Sequence, residues 1–188
     1  VGLRGVGKTV LLDQLGLDAE ASGIQTMRVE APEARSLPAI IAPHGHDSGG
    51  KYAPAGRRDI PTMQEPLDEH NYDYGVQAAR RGYVAFCPDA RGFGERREPL
   101  NEGPEKVRMS SCRVLAHMAL PLGLTIAGMW AWDLSRLLDY VQTRPEVQGQ
   151  KVASIGLSGG GLQTLYFAAT DERVDVAVVV AVANEWGA

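Results

Sequence analysis

Two short stretches carry the residue types that acyl chemistry needs. The first, "GLSGGG" at 156–161, lies between the apolar run "KVASI" and the helix-like "LQTLYFAAT". Gly156-Leu157-Ser158-Gly159-Gly160 fits GxSxG, in which a sharp strand-to-helix turn lifts a serine hydroxyl clear of a sheet. Glycines two residues to either side let strand and helix approach without a Cβ collision, and the Gly159 N–H, aided by the helix dipole, can stabilise a developing oxyanion. A plain glycine-rich turn is the alternative, but the strand before and the helix after favour a catalytic Ser158. The second stretch, "APHGHDSGG" at 42–50, follows an apolar strand. Its glycines allow a backbone amide to turn toward a substrate carbonyl, and the His46 N–H is the candidate second oxyanion donor. His44, His46 and Asp47 could instead begin a metal cluster, which needs a further ligand at a fixed spacing. None stands there, so no metal is expected.

A serine hydroxyl is a weak nucleophile at neutral pH unless a base takes its proton. The four histidines, His44, His46, His70 and His117, all precede Ser158. Three outcomes follow. His44 or His46 reaches Ser158, oriented by Asp47 or Asp89; the oxyanion hole and positioning alone sustain a residual reaction; or the chain is inactive or borrows its missing groups from another subunit.

A third stretch implies different chemistry. "GLRGVGKT" at 2–9 satisfies GxxxxGK[ST], where backbone amides cradle phosphates, Lys8 reaches the β- and γ-phosphates and Thr9 holds Mg²⁺. Gly2, Gly7, Lys8 and Thr9 are therefore candidate nucleotide-binding residues, with ATP and Mg²⁺ as the implied cofactors. Only Val1 stands where the preceding strand should be, and no persuasive second acidic strand follows. A remnant that packs as helix and strand is the favoured reading of this segment.

The elements that must position these residues alternate. A helix over 8–22 and strands over 24–30 and 37–43 come first. A polar loop leads to a helix over 72–81 that stops at Gly82 and a strand over 83–89. After another long loop, a helix over 127–143 is closed by Pro145; then come a strand over 151–157, a helix over 160–169 and a strand over 174–183. Continuous apolar strands separated by helices predict an α/β fold, a mostly parallel sheet with helices on both faces and reactive groups at the strands' C-terminal ends.

The ordered set "PAIIAPHGHDSGG", "GYVAFCPDARGFGERRE" and "WDLSRLLDYVQTRPEVQGQKVASIGLSGGGLQTLYFAATDERV" resembles the dienelactone-hydrolase and acetyl-xylan-esterase branch of the α/β-hydrolases over about residues 37–185. The resemblance implies Ser158 as nucleophile, an oxyanion hole from Gly159 and the His44-Gly45-His46 loop, and Asp89, Arg91 and Gly92 at the mouth of the site. Arg91 could meet an anionic substrate. Dienelactone hydrolases carry cysteine at the elbow, so serine points to esterase chemistry on small esters without a cofactor. The family places its acid and histidine on loops after two later strands, so the core is expected to be an incomplete α/β-hydrolase-like fold. Residues 1–36 resemble the start of AAA-type ATPases and are expected to pack on the 37–188 core as part of one structural domain.

Composition sets the wider bounds. A net charge of −4 with mixed signs gives no basic footprint for nucleic acid. Cys87 and Cys112 have no metal or redox spacing, so both read as reduced thiols, Cys87 in a buried strand, and they favour a cytoplasmic protein; no basic-then-apolar run of a secretory signal follows Val1. "VLAHMALPLGLTIAGMWAW" at 114–132 carries no charged side chain, but Pro121 and Gly123 interrupt it, which favours a buried loop entering a core helix over a membrane span. Trp130 and Trp132 read as core, and 89–106 as a solvated loop over the site. The strand over 174–183 would be a long apolar edge, from which a dimer or higher oligomer is expected.

Overall fold

The computed structural model describes residues 36–99, 106–147 and 149–182. The candidate phosphate-binding residues Gly2, Gly7, Lys8 and Thr9, with the helix and strand expected after them, lie outside the described residues, as does the end of the last expected strand.

Four parallel strands form the sheet: β1 (Ala39–Ile41), β2 (Val84–Phe86), β3 (Val152–Leu157) and β4 (Val176–Val180), in the order β2-β1-β3-β4. The register pairs Ala39 of β1 with Val84 of β2 on one side and with Val152 of β3 on the other. Five helices are described: α1 (Gln64–Glu69), α2 (Tyr74–Arg80), α3 (Cys112–Ala119), α4 (Ile126–Thr143) and α5 (Gly159–Thr170). The expected parallel α/β pattern is the one observed. The strands are shorter than the apolar runs that announced them: β1 stops where Pro43 and Gly45 turn the chain out of the sheet.

The path of the chain decides where chemistry can occur. From β1 it winds outward to β2, then crosses back over β1 to β3 and continues to β4. The winding reverses between β1 and β3, and such a reversal opens a crevice beyond the strands' C-terminal ends. The loop after β1 begins at Ala42 and the turn after β3 is Ser158, so both sequence motifs fall on that crevice.

The core under it is largely apolar. Ile41, Leu138, Val141 and Phe167 are fully buried and pack together with Leu134, Val147 and Val152. In β3 alternate residues turn inward, and the buried Ser154 hydroxyl meets Thr164 Oγ1 at 3.0 Å, which satisfies both groups. Helix α4 is capped by Thr125, whose hydroxyl accepts the Gly128 N–H at 3.0 Å. It ends before Arg144, whose backbone is extended as a residue preceding proline prefers.

Three expectations change. Helices α1 and α3 occupy stretches read as loops. The uncharged run is not a buried loop: α3 and its 3₁₀ extension meet α4 at 98°, with Val114, Met118, Leu120, Leu122 and Leu124 all exposed. No single described helix is long and apolar enough to cross a membrane. Of the two tryptophans only Trp130 is core; Trp132 is exposed, with the Arg136 guanidinium 4.5 Å from its ring centre. Strand β4 pairs with β3 alone among the described residues, and Val176, Val178 and Val180 are exposed.

Candidate active site

One residue separates β3 from α5, and it is Ser158. Its backbone takes φ 54° and ψ −120°, a conformation that costs a non-glycine residue about 1–3 kcal/mol unless its surroundings impose it. They do so here through the Ser158 N–H, which donates to the Val180 carbonyl at 2.9 Å, and the Ser158 carbonyl, which accepts from the Leu162 N–H at 3.0 Å. A Cβ on Gly156 would collide with the Gly160 carbonyl, so the glycine two residues before the serine is a steric requirement of the turn. Ser158 is exposed, and among the described residues its hydroxyl has no hydrogen-bond partner. The serine therefore stands at the first turn of a twelve-residue helix with its oxygen uncommitted.

The loop after β1 lies directly on this turn. A Cβ on Gly45 would stand 2.5 Å from the Leu157 carbonyl and 3.3 Å from Ser158 Cβ, an approach that only glycine permits. Four buried or half-buried groups fix the loop there. Gln163 donates to the His44 carbonyl at 2.8 Å and the Gly159 carbonyl at 3.3 Å, joining loop to helix. Tyr74 donates its hydroxyl to the Pro43 carbonyl at 2.7 Å, and the Tyr72 hydroxyl meets the Gly45 backbone. Burial raises both phenols above their ordinary range, so they stay protonated and neutral. Ser48 donates to the Gly45 carbonyl at 2.7 Å and closes the loop on itself.

The two histidines of this loop part company. His44 is buried, with Nδ1 2.8 Å from the Gly45 carbonyl and 3.1 Å from the Ser48 hydroxyl, while Nε2 accepts the Ala90 N–H at 3.0 Å. Both nitrogens are thus occupied, and burial lowers its proton affinity despite the opposing Gly45 carbonyl and Asp89 charge. As a base toward Ser158, His44 is ruled out by these bonds; it ties the β1 loop to the β2 loop instead. His46 is exposed, and its ring lies over the elbow: Nδ1 is 2.8 Å from the position a Gly159 Cβ would take. No hydrogen bond joins the ring to Ser158. Its Nε2 stands 3.3 Å from Cys112 Sγ, and its ring meets the Phe93 ring edge-on at 5.1 Å. His70 and His117 are exposed on α1's end and on α3.

Neither expected acid orients a histidine. Asp47 sits in a left-handed turn with an exposed side chain, and its carbonyl accepts from Arg108 at 3.0 Å. Asp89 has a buried carboxylate that accepts the Lys51 N–H at 2.7 Å and the Glu95 N–H at 3.2 Å, with the Lys51 ammonium at 3.1 Å. It is a bracket between two loops. Arg91 is not waiting for an anion either. Its guanidinium makes two 2.8 Å bonds to Asp133, and the Trp130 indole N–H donates to its carbonyl at 3.1 Å. Burial works to raise the Asp133 carboxyl, but Arg91 and Arg96 outweigh it and hold the group below its usual range. Gly92 bends the β2 loop at φ 85° against the first residue of α3 and accepts the Ser111 N–H at 2.8 Å, which brings Cys112 beside His46.

Sequence reasoning missed Tyr72, Tyr74, Gln163 and Cys112. Gln163 carried a signal, a polar residue on the inward face of an apolar helix one turn after Gly159. Cys112 carried none, since 66 residues separate it from His46. A cleft of about 140 Å³ beside the site is lined by Asp89, Ala90, Trp130, Asp133 and Gln163 among others. The larger hollow, about 500 Å³ at Asn71, Asp73, Gln77, Arg80 and Arg81, includes no residue of the elbow. Among the described residues no three His, Cys, Asp or Glu side chains gather as a metal site.

Comparison with known proteins agrees with this geometry. The family model described as "Dienelactone hydrolase family" matches residues 67–181. The curated protein "Putative hydrolase YtaP" of Bacillus subtilis (strain 168) is 30% identical over 172 residues, covering 91% of this chain and 51% of its own length. The chain thus spans about half the length of that relative. Among solved structures, "a putative acetyl xylan esterase" from Bacteroides fragilis NCTC 9343 superposes with a TM-score of 0.59 at 19% identity, over 76% of this chain and 37% of its own, which shows a shared fold.

Proposed function

The chain belongs to the dienelactone hydrolase family, and from that premise we propose that Ser158 is the nucleophile of a carboxylesterase acting on small esters. The observation that carries the reading is the serine's backbone, held at φ 54° between β3 and α5 with its hydroxyl uncommitted and the Gly45-His46 loop against it. Ser158 Oγ attacks the ester carbonyl, and the negative charge that develops is met by the Gly159 N–H at the helix start and the His46 N–H. The alcohol leaves, and water releases the acyl group from the serine. Of the four histidines, His46 alone lies over the elbow and is the one assigned to take the Ser158 proton and pass it to the departing alcohol. No metal or organic cofactor takes part in this scheme.

The test is hydrolysis of p-nitrophenyl acetate and covalent capture of a fluorophosphonate. Capture mapped by mass spectrometry to Ser158, abolished in Ser158→Ala, supports the assignment; an unchanged rate in Ser158→Ala removes it. We further propose that a second copy covers β4, which pairs with β3 alone among the described residues and exposes Val176, Val178 and Val180. Light scattering that gives a monomer at micromolar concentration would count against that association.

A further inference from the structure

We propose that Cys112 and His46 form a reactive thiol–imidazole pair, a site of covalent modification by small uncharged electrophiles at the rim of the Ser158 turn. The pair is assembled from distant parts of the chain. Cys112 Sγ lies 3.3 Å from His46 Nε2, within the reach a base needs to take a thiol proton. The Phe93 ring, itself buried, meets the imidazole edge-on at 5.1 Å and braces one side of it. On its other side the sulfur accepts from the Ser110 hydroxyl at 3.5 Å, a second polar group that fixes where the sulfur sits. Cys112 is the first residue of the eight-residue helix α3, where the exposed amides add positive potential. It is half-buried and His46 is exposed, so a small reagent can reach the pair from solvent.

The other thiol supplies the contrast. Cys87 Sγ packs where a Cβ on Gly75 would come within 2.5 Å, and burial pushes this thiol up to about 12. By exposure Cys87 is half-buried like Cys112, but no imidazole lies against its sulfur among the described residues, so it is the reference thiol within the same molecule.

With an alkyl iodide the step is a simple displacement. The Cys112 proton passes to His46 Nε2, sulfur forms a bond to the carbon of the reagent, and the carbon–iodine bond breaks to release iodide.

The experiment treats the native chain with iodoacetamide at pH 7 and follows each cysteine by peptide mass spectrometry. With the imidazole placed to take the thiol proton during attack, Cys112 should react roughly tenfold faster than N-acetylcysteine, with Cys87 slower than both. His46→Gln, which keeps a hydrogen-bonding group but no base, should slow Cys112 by a similar factor while Cys87 stays protected. A wild-type Cys112 no faster than N-acetylcysteine overturns the proposal without recourse to any variant. So does a Cys112 rate that is unchanged or increased in His46→Gln.

Discussion

The two loops that meet over the elbow are held by opposite means. The β1 loop is fastened by buried, neutral hydrogen bonds: His44 to Ala90, Gln163 to the His44 carbonyl, Tyr74 to the Pro43 carbonyl. The β2 loop is fastened by charge, with Asp89 on Lys51 and with Arg91 and Arg96 both on Asp133. In each case a residue that looked chemical in the sequence is consumed in positioning. His44, Asp89 and Arg91 have fixed partners, whereas Ser158 and His46 are exposed and Cys112, beside His46, is half-buried. A titratable residue in an active-site motif is therefore a candidate for chemistry only when its hydrogen bonds have been accounted for.

That contrast can be broken at several points. The largest effect is expected at the uncommitted serine, where Ser158→Ala should reduce ester hydrolysis by about a thousandfold or more while leaving the melting transition in place. His44→Ala tests the buried fastening. It leaves the Ala90 N–H unpaired and opens a void, so a loss of about 2–4 kcal/mol is expected in chemical denaturation. A smaller cost of about 1 kcal/mol is expected for Tyr74→Phe, which removes one hydroxyl donor and keeps the ring. Arg91→Ala should cost no more than about 1 kcal/mol, because its ion pair is partly solvated. If Arg91→Ala proves more damaging than His44→Ala, the ranking of the two fastenings is reversed.

The contrast also has a pH signature. Burial holds His44 neutral in the folded chain, so its proton affinity lies below the unfolded value near 6.5. The unfolded state then binds more protons in that window, and the His44 contribution, complete above about pH 6.5, is lost as pH falls through the lowered folded value. Urea titrations at stepwise lower pH should show this decline in wild type and a shallower one in His44→Gln.

Much of the architecture was legible because apolar periodicity is a local signal. The strand over 151–157 and the helix over 127–143 are found within a residue of β3 and α4. GxSxG was legible for the same reason, as a constraint on five neighbouring residues. What the sequence left open was non-local. Whether His44 or His46 faces the elbow depends on Ala90, Phe93 and Cys112, which the β2 loop delivers from far along the chain. The uncharged run over 114–132 misled because lack of charge was read as burial, while Leu120 and Leu122 are 62% and 75% exposed.

The left-handed backbone at Ser158 sets folding and chemistry against each other. Glycine adopts φ near 54° without the side-chain penalty that serine bears, so for stability alone the turn would be better served by the residue type that surrounds it. A β-branched side chain would be worse than either. The position thus admits a narrow set of residues, and the most relaxed member of that set carries no oxygen to attack with. Under the proposed function, the hydroxyl at this turn is kept at a standing expense to the stability of the sheet and helix that present it.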